Sequence, residues 1–339
     1  MAKIHTLPGE RGLGYLEHTG DWQALTAVEQ KYRYFSIESY FRESWETASL
    51  ELGAGVLESL QRLAMLVLKP ECILGRKGET VLDYMARNGF KPIVAQPFRY
   101  DRHRTREIWR YQWNIATLDR LQLGDLLHTA ADALMVLFVD ERDDTGLPGS
   151  VRLAGLKGSS LPWERRPEHL RSHLDALNRM IVFVHCSDEP ADIVRELGIL
   201  FDPGQLQGIY RRISTALSSQ VGDDVAATLS NLCSQFPSYP FDVAAAVRRV
   251  RTELALVRKS GVKAARRADQ ALSIAAESDR KLDWRTWSDD LKKAGSNPAG
   301  WDAILVATQY IQHDFPGVRC IISESGRERW LAGEGRRCQ

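Results

Sequence analysis

Met180-Ile-Val-Phe-Val-His-Cys-Ser-Asp-Glu-Pro-Ala-Asp-Ile-Val-Arg-Glu-Leu197 runs from an apolar strand pattern into a helical one, with a histidine at the join. Five consecutive apolar residues, Met180 to Val184, are the signature of a buried strand. From Ala191 to Leu200 apolar residues recur at helical spacing; Asp188 is placed to cap that helix, and Pro190 falls in its first turn, where a missing N–H costs little. Glu196, about two turns into the helix, can reach back toward the imidazole of His185. A lone histidine at a strand end is usually a polar residue leaving the core. Accompanied by Ser187, Asp188 and Glu196, this one is a candidate site.

Outward from this stretch, the chain alternates strands and helices. Met65-Leu-Val-Leu68 is a short apolar run stopped at Lys69-Pro70, as a buried strand is stopped by proline. Gly78 to Asn88 reads as a helix, with Gly89 in the position of a C′ glycine, and Phe90 to Phe98 as a second strand. A mostly helical stretch, Arg102 to Ala131, leads to a third strand, Ala133 to Val139; a loop and a charged helix around Glu164 to Leu177 precede the fourth. The spacing predicts an α+β fold with a split βαββαβ antiparallel sheet of ferredoxin-like type. Before it, residues 1–20 read as a loose arm, and Trp22 to Leu63 as two amphipathic helices broken near Gly53-Ala54-Gly55. After Asp202-Pro203-Gly204 the pattern is almost wholly helical: Leu206–Leu217, Val221–Phe236, Phe241–Lys259, Ala264–Leu282, Trp284–Lys293 and Ala299–Phe315. A brief run, Val318 to Ile322, reads as an edge strand, and Glu324 to Gln339 as a polar tail. The expected division is therefore 1–61 (arm and helices), 62–203 (sheet domain) and 204–339 (all-helical C-terminal domain).

The 339 residues carry Lys+Arg 45 against Asp+Glu 44, and 44% are hydrophobic, enough for a substantial core. Near-neutrality gives no global attraction to nucleic acid or anionic membrane, so neither is an expected partner. The densest basic stripe, Arg248 to Arg267, lacks interleaved aromatics and reads as a solvated face. Five scattered cysteines without a Cys-x-x-Cys pair indicate neither a zinc site nor a disulfide framework. No apolar stretch approaches the length of a signal or membrane segment. A cytoplasmic protein is expected. His169 and His173, four apart beside Glu168, lack a third ligand, and no metal site is assigned to them.

The register of His185, Ser187, Asp188 and Glu196 resembles the nucleoside diphosphate kinases, whose fourth strand ends in Asn-x-x-His-Gly-Ser-Asp followed by a glutamate at the same distance. Val67-Leu-Lys-Pro-Glu71 is similar to that family's strand-one Lys-Pro-Asp, and Gly89-Phe-Lys91 to the Gly-Phe that opens its second strand. The resemblance covers roughly residues 62–203. It implies a phosphohistidine mechanism with His185 as nucleophile, Glu196 orienting it, and Lys69 in the catalytic set. Arg152, Arg171, Lys157 and Ser187 would hold nucleotide phosphates, and Trp109 and Leu118 (or Thr117) would stand at the ring-positioning and nucleoside-facing places. It also implies Mg²⁺ arriving with a nucleoside triphosphate, an acceptor that need not be an ordinary nucleoside diphosphate, and a homo-oligomer.

That chemistry suits the residue types. A neutral imidazole can attack phosphorus in line if a carboxylate holds its other nitrogen, while lysine and planar arginines neutralise the transferring group. The sequence also departs from the pattern. Val182 replaces the ribose-contacting asparagine, Cys186 the glycine beside the nucleophile, and Trp109 a tyrosine. Val182 favours an alternative, a catalytically silent nucleotide-binding or scaffolding module whose helical domain makes protein or nucleic-acid contacts; the His185 and Glu196 pair favours catalysis.

Overall fold

A computed structural model describes residues 19–142, 146–278 and 280–338. The arm read from the first residues lies outside them, save Thr19 and Gly20, where the first helix has begun. Helices α1 (Thr19–Leu25), α2 (Glu29–Phe35), α3 (Ser39–Leu52) and α4 (Val56–Arg62) precede β1 (Leu63–Leu68). Then come α5 (Pro70–Leu74), α6 (Gly78–Arg87), β2 (Phe90–Phe98), α7 (Arg102–Ile108), α8 (Leu118–Thr129) and β3 (Ala133–Asp140). These are followed by α9 (Gly149–Lys157), α10 (Leu170–His173), β4 (Val184–Cys186) and α11 (Pro190–Leu200). The remainder is helical: α12 (Pro203–Ser219), α13 (Val225–Ser234), α14 (Val243–Lys259), α15 (Lys263–Glu277), α16 (Trp284–Lys293), α17 (Trp301–Tyr310) and α18 (Gly326–Leu331).

The fold is α+β. Its four strands form one antiparallel sheet in the order β2-β3-β1-β4. Every residue of β1 and of β3 is buried, which a period-two strand achieves only when both faces of the sheet are covered. Ala64, Leu66 and Leu68 enter one apolar core with Leu134, Val136 and Phe138, and that core continues into α6, α8 and helices α13 to α17. Leu63, Met65 and Val67 enter the other, with Met135, Leu137, the N-terminal helices, α11 and α12. The register Val67↔His185 puts His185 on the second face, beneath α11.

Several expectations change in the structure, each for a local reason. The fourth strand is three residues long and begins at Val184, because Phe183 adopts φ 63° and the Val184 N–H turns back to the Val182 carbonyl (2.7 Å). His185 therefore lies within the strand rather than after it. The helix expected over 164–177 is absent. Pro167 interrupts it, only the single turn α10 forms there, and the longer helix between β3 and β4 is α9, over residues whose pattern predicts a loop. The N-cap of α11 is Glu189, whose N–H is held by Asp192 (2.9 Å), and not Asp188; Pro190 does occupy its first turn. The segment Trp22 to Leu63 forms four helices, although the break at Gly53–Gly55 stands. Val318 to Ile322 is not a strand. The final residues are not a free tail: α18 buries Trp330, and Gln61 donates to the Arg336 carbonyl (2.7 Å).

Asp202-Pro203-Gly204 is a helix start. Asp202 accepts from Gln205 N (2.9 Å) and Pro203 sits at the first helical position. Leu206, Ile209, Tyr210 and Ile213 of α12 then join the core of the second face, and the Tyr210 hydroxyl pairs with Ser44 (2.9 Å). Each face of the sheet is thus partly covered by residues beyond 204. A chain ending at Gly204 is expected to lose cooperative unfolding and to bind a hydrophobic dye; a sharp calorimetric transition from that fragment would show that the sheet closes its cores without them.

Candidate functional site

β4 delivers His185 to the lip of a cavity of about 1030 Å³. The Glu196 carboxylate, carried over it by α11, lies 3.0 Å from His185 Nε2 through both of its oxygens. Because a carboxylate only accepts, Nε2 carries the proton, and the lone pair of a neutral ring sits on Nδ1. Ser187 Oγ donates to Glu196 Oε2 (2.9 Å) and fixes the carboxylate in turn. Trp109 meets the His185 ring edge-on, with centroids 5.4 Å apart. The imidazole is thereby held in one tautomer and one orientation.

Cations surround it. Lys69, 3% exposed, bonds the Glu71 carboxylate (2.9 Å) and the Met180 carbonyl (3.3 Å); burial, only partly offset by Glu71, lowers its pKa. Arg171 donates to the Gly158 and Val184 carbonyls (2.9 and 3.0 Å), and burial brings its pKa down to about 10. Its Nε has no partner. Lys157 pairs with Asp188 at 2.9 Å. For that pair burial opposes both charges, yet mutual attraction wins: Lys157 is raised and Asp188 is held well below the usual carboxylate range. Cys186 beside them is buried, and burial pushes its thiol up to about 12, away from the thiolate form.

The residues singled out from the sequence fall into two groups. His185, Glu196, Lys69, Lys157, Arg171, Arg152 and Trp109 all line the one cavity. Arg152, however, is committed elsewhere: it donates to Asp140 (2.6 Å) and to the Asn88 carbonyl (2.8 Å), and lies 3.9 Å over the Phe90 ring. Ser187 is fully buried behind Glu196 and does not line the cavity. Leu118 is 55% exposed, also off the lining, and Thr117 gives its hydroxyl to the Gln312 carbonyl (2.6 Å). His169 caps α10 and accepts from Arg166 N (2.9 Å), while His173 packs on Tyr84. Among the described residues no group of three or more His, Cys, Asp or Glu is placed to hold a metal ion, and no helix is long and apolar enough to cross a membrane. In the basic stripe, Arg249, Arg258 and Arg267 pair with Asp302, Asp269 and Asp290.

Four further residues carry no signal in the sequence. His128 lines the cavity, stacked on Trp109 (4.8 Å between centroids). Arg120 and Arg179 share the carboxylate of Asp314. Lys31 bridges Glu189 and Asp192 at 2.8 and 2.5 Å. The partners of Arg120, Arg179 and Lys31 lie more than a hundred residues away in sequence, and His128 stacks on a ring 19 residues earlier, so none belongs to a local motif.

Part of the chain is similar to solved structures. A nucleoside diphosphate kinase from Aquifex aeolicus is similar at 16% identity, covering 42% of this chain and 95% of that one, with a TM-score of 0.34. An NDP kinase from Pyrobaculum aerophilum is similar at 12% identity over 43% and 98%, and a nucleoside diphosphate kinase family protein from Babesia bovis at 16% over 42% and 90%, each with a TM-score of 0.34. No protein-family model and no curated protein matches the chain.

Two histidines, His128 in the cavity wall and His313 beside Arg120 and Arg179, are held below the usual imidazole range. Burial, with Lys69 and other cations nearby, holds His128 well below its usual value, and burial brings His313 to about 4. A folded pKa depressed below the unfolded value near 6.5 contributes stability that is present above that value and lost as pH falls toward the folded pKa. The unfolding free energy should therefore drop between pH 7 and 4.5. His313→Gln should flatten that drop by roughly 2–3 kcal/mol in denaturant titrations at the two pH values; an unchanged slope would show that His313 is not buried neutral.

Proposed function

We propose that this chain is a phosphotransferase of nucleoside diphosphate kinase type, acting through a phosphohistidine at His185. Its core would be the ferredoxin-like split arrangement, to which the order β2-β3-β1-β4 corresponds. One observation carries the reading: the His185 ring is tied by Nε2 to Glu196 and so offers Nδ1 in a cavity lined by buried, incompletely paired cations.

The step balances with these groups alone. The Nδ1 lone pair attacks the terminal phosphorus of a triphosphate, an N–P bond forms, and the bridging P–O bond breaks with its electron pair leaving on the departing oxygen. No proton is lost, since Nε2–H stays on the Glu196 carboxylate, which stabilises the positive ring. Lys69, Arg171 and Lys157 would neutralise the charge on the transferring and departing groups. Reversal onto an acceptor oxygen regenerates His185.

Magnesium fits this site as an ion carried by phosphate oxygens. The nearest cavity carboxylates are already engaged, Glu196 by His185 and Ser187, and Asp188 by Lys157. When bound, the ion would offset phosphate charge. A cytoplasmic setting agrees with five free cysteines. Arg152, locked on Asp140, and the apolar Val182 favour the second reading, a silent binding module.

Incubation with Mg²⁺ and a γ-labelled nucleoside triphosphate should leave an acid-labile, base-stable label on the protein that is absent from His185→Ala. Binding without labelling would leave the silent module. Glu196→Gln keeps the shape and removes the charge, so the labelling rate should fall by roughly tenfold to a thousandfold while the unfolding transition survives. A variant as fast as the parent would mean that the pair is no catalytic unit.

A further inference from the structure

The cavity is unequally equipped for the two halves of a nucleotide. A base needs a free aromatic face or polar groups set to read its edge. Four aromatic rings other than histidine line the cavity, and each is already engaged. Trp109 stacks on Trp113 (4.8 Å, 14° between planes) and on His128, and Tyr111 stacks on Tyr34 (5.0 Å, 22°). Phe35 packs on Phe41 and Tyr111, and Trp113 carries the guanidinium groups of Arg106 and Arg120 over its ring at 5.8 and 5.4 Å. Val182 offers no polar atom. Thr117 is bound to the chain's own segment 312–315, which also places Phe315 N on the Ile115 carbonyl (2.8 Å).

Anionic ligands meet the opposite situation. Lys69, Arg120 and Arg171 are at least nine-tenths buried and line the cavity, and Arg179 joins them at half-burial. The Nε atoms of Arg120, Arg171 and Arg179 have no partner. Arg120 and Arg179 converge on a single carboxylate, Asp314, so this pair of guanidinium groups already holds one anionic group. Guanidinium groups bind phosphate oxygens through their planar fork of donors, and a buried lysine beside them adds a point charge.

We infer that this site recognises a polyphosphate chain and no part of a nucleoside, so that an inorganic, base-free polyphosphate binds as well as a nucleoside triphosphate does. The inference rests on the phosphotransfer reading of His185 and specifies its donor class. Transfer from such a donor balances as above, with a polyphosphate one unit shorter as the leaving group.

The test titrates the full chain calorimetrically, in Mg²⁺, with tripolyphosphate, ATP, GTP and adenosine. The three triphosphates are expected to bind within threefold of one another, and adenosine to give no heat at millimolar concentration. A nucleoside triphosphate more than threefold tighter than tripolyphosphate, a preference above threefold between ATP and GTP, binding of adenosine, or no binding of tripolyphosphate would each overturn the inference. Terminally labelled tripolyphosphate and γ-labelled ATP, used in parallel, separate it from the underlying reading. Label from ATP but not from tripolyphosphate removes the donor class and leaves the phosphohistidine. Equal binding with label from neither upholds base-blind recognition and removes the phosphotransfer.

Discussion

Glu189 is a carboxylate with no exposed side-chain surface and four donors: the Thr26 hydroxyl, Ala27 N, Lys31 Nζ and Trp330 Nε1, each at 2.8 Å. A charge so buried is tolerable only when fully paired, and removing one partner of such a pair typically costs about 3–5 kcal/mol. Its donors come from the turn between α1 and α2, from α2 and from the last helix, while Glu189 itself opens α11. Six residues further along, Arg195 of α11 binds Glu38 (2.5 Å) and the Glu107 carbonyl (2.8 Å). Two buried ionic clusters thus clamp α11 at both ends of its active segment. Glu196, the next residue, inherits that fixed position and passes it to His185.

The sheet imposes the complementary constraint. Gly198 of α11 lies so close to α3 that a Cβ there would stand 2.2 Å from the Tyr40 carbonyl, so α11 is pressed between α3 and the strand that carries His185. Backbone contact of this kind leaves no room for helix rotation. The distance from Nε2 to the carboxylate is consequently a property of the whole packing of the second face and not of a flexible side-chain meeting.

Much of this was legible where the signal is local. Phe90 to Phe98 and Trp284 to Lys293 have the bounds their patterns give, and Gly89 takes the positive φ of a helix-ending glycine. His185 and Glu196 were legible because strand, turn and helix bring them together within eleven residues. The fourth strand was misplaced because a left-handed Phe183 cannot be anticipated from an apolar run that is buried in either conformation. The helix at 149–157 was missed for want of strong periodicity, and the packed C-terminal segment because its anchors, Trp330 on Glu189 and Asp314 on Arg120, join residues 141 and 194 apart. Arg152 read as a ligand-gripping residue because nothing in sequence ties it to Asp140; a charge earns its role from its nearest opposite charge, which only the fold supplies.

The cations of the cavity illustrate the same point energetically. Lys69 sits under a pressure to lose its proton, since burial outweighs the attraction of Glu71, and Arg171 and Arg120 add like charge nearby. Such a cluster is tolerated because each member keeps at least one oxygen partner: Glu71 and a carbonyl for Lys69, two carbonyls for Arg171, and Asp314 for Arg120. Carbonyl partners satisfy hydrogen bonds without cancelling charge, so the cluster retains net positive potential while remaining ordered. An entering anion would therefore relieve repulsion that the fold already bears, and would find its donors in place, so that little reorganisation is needed when it binds.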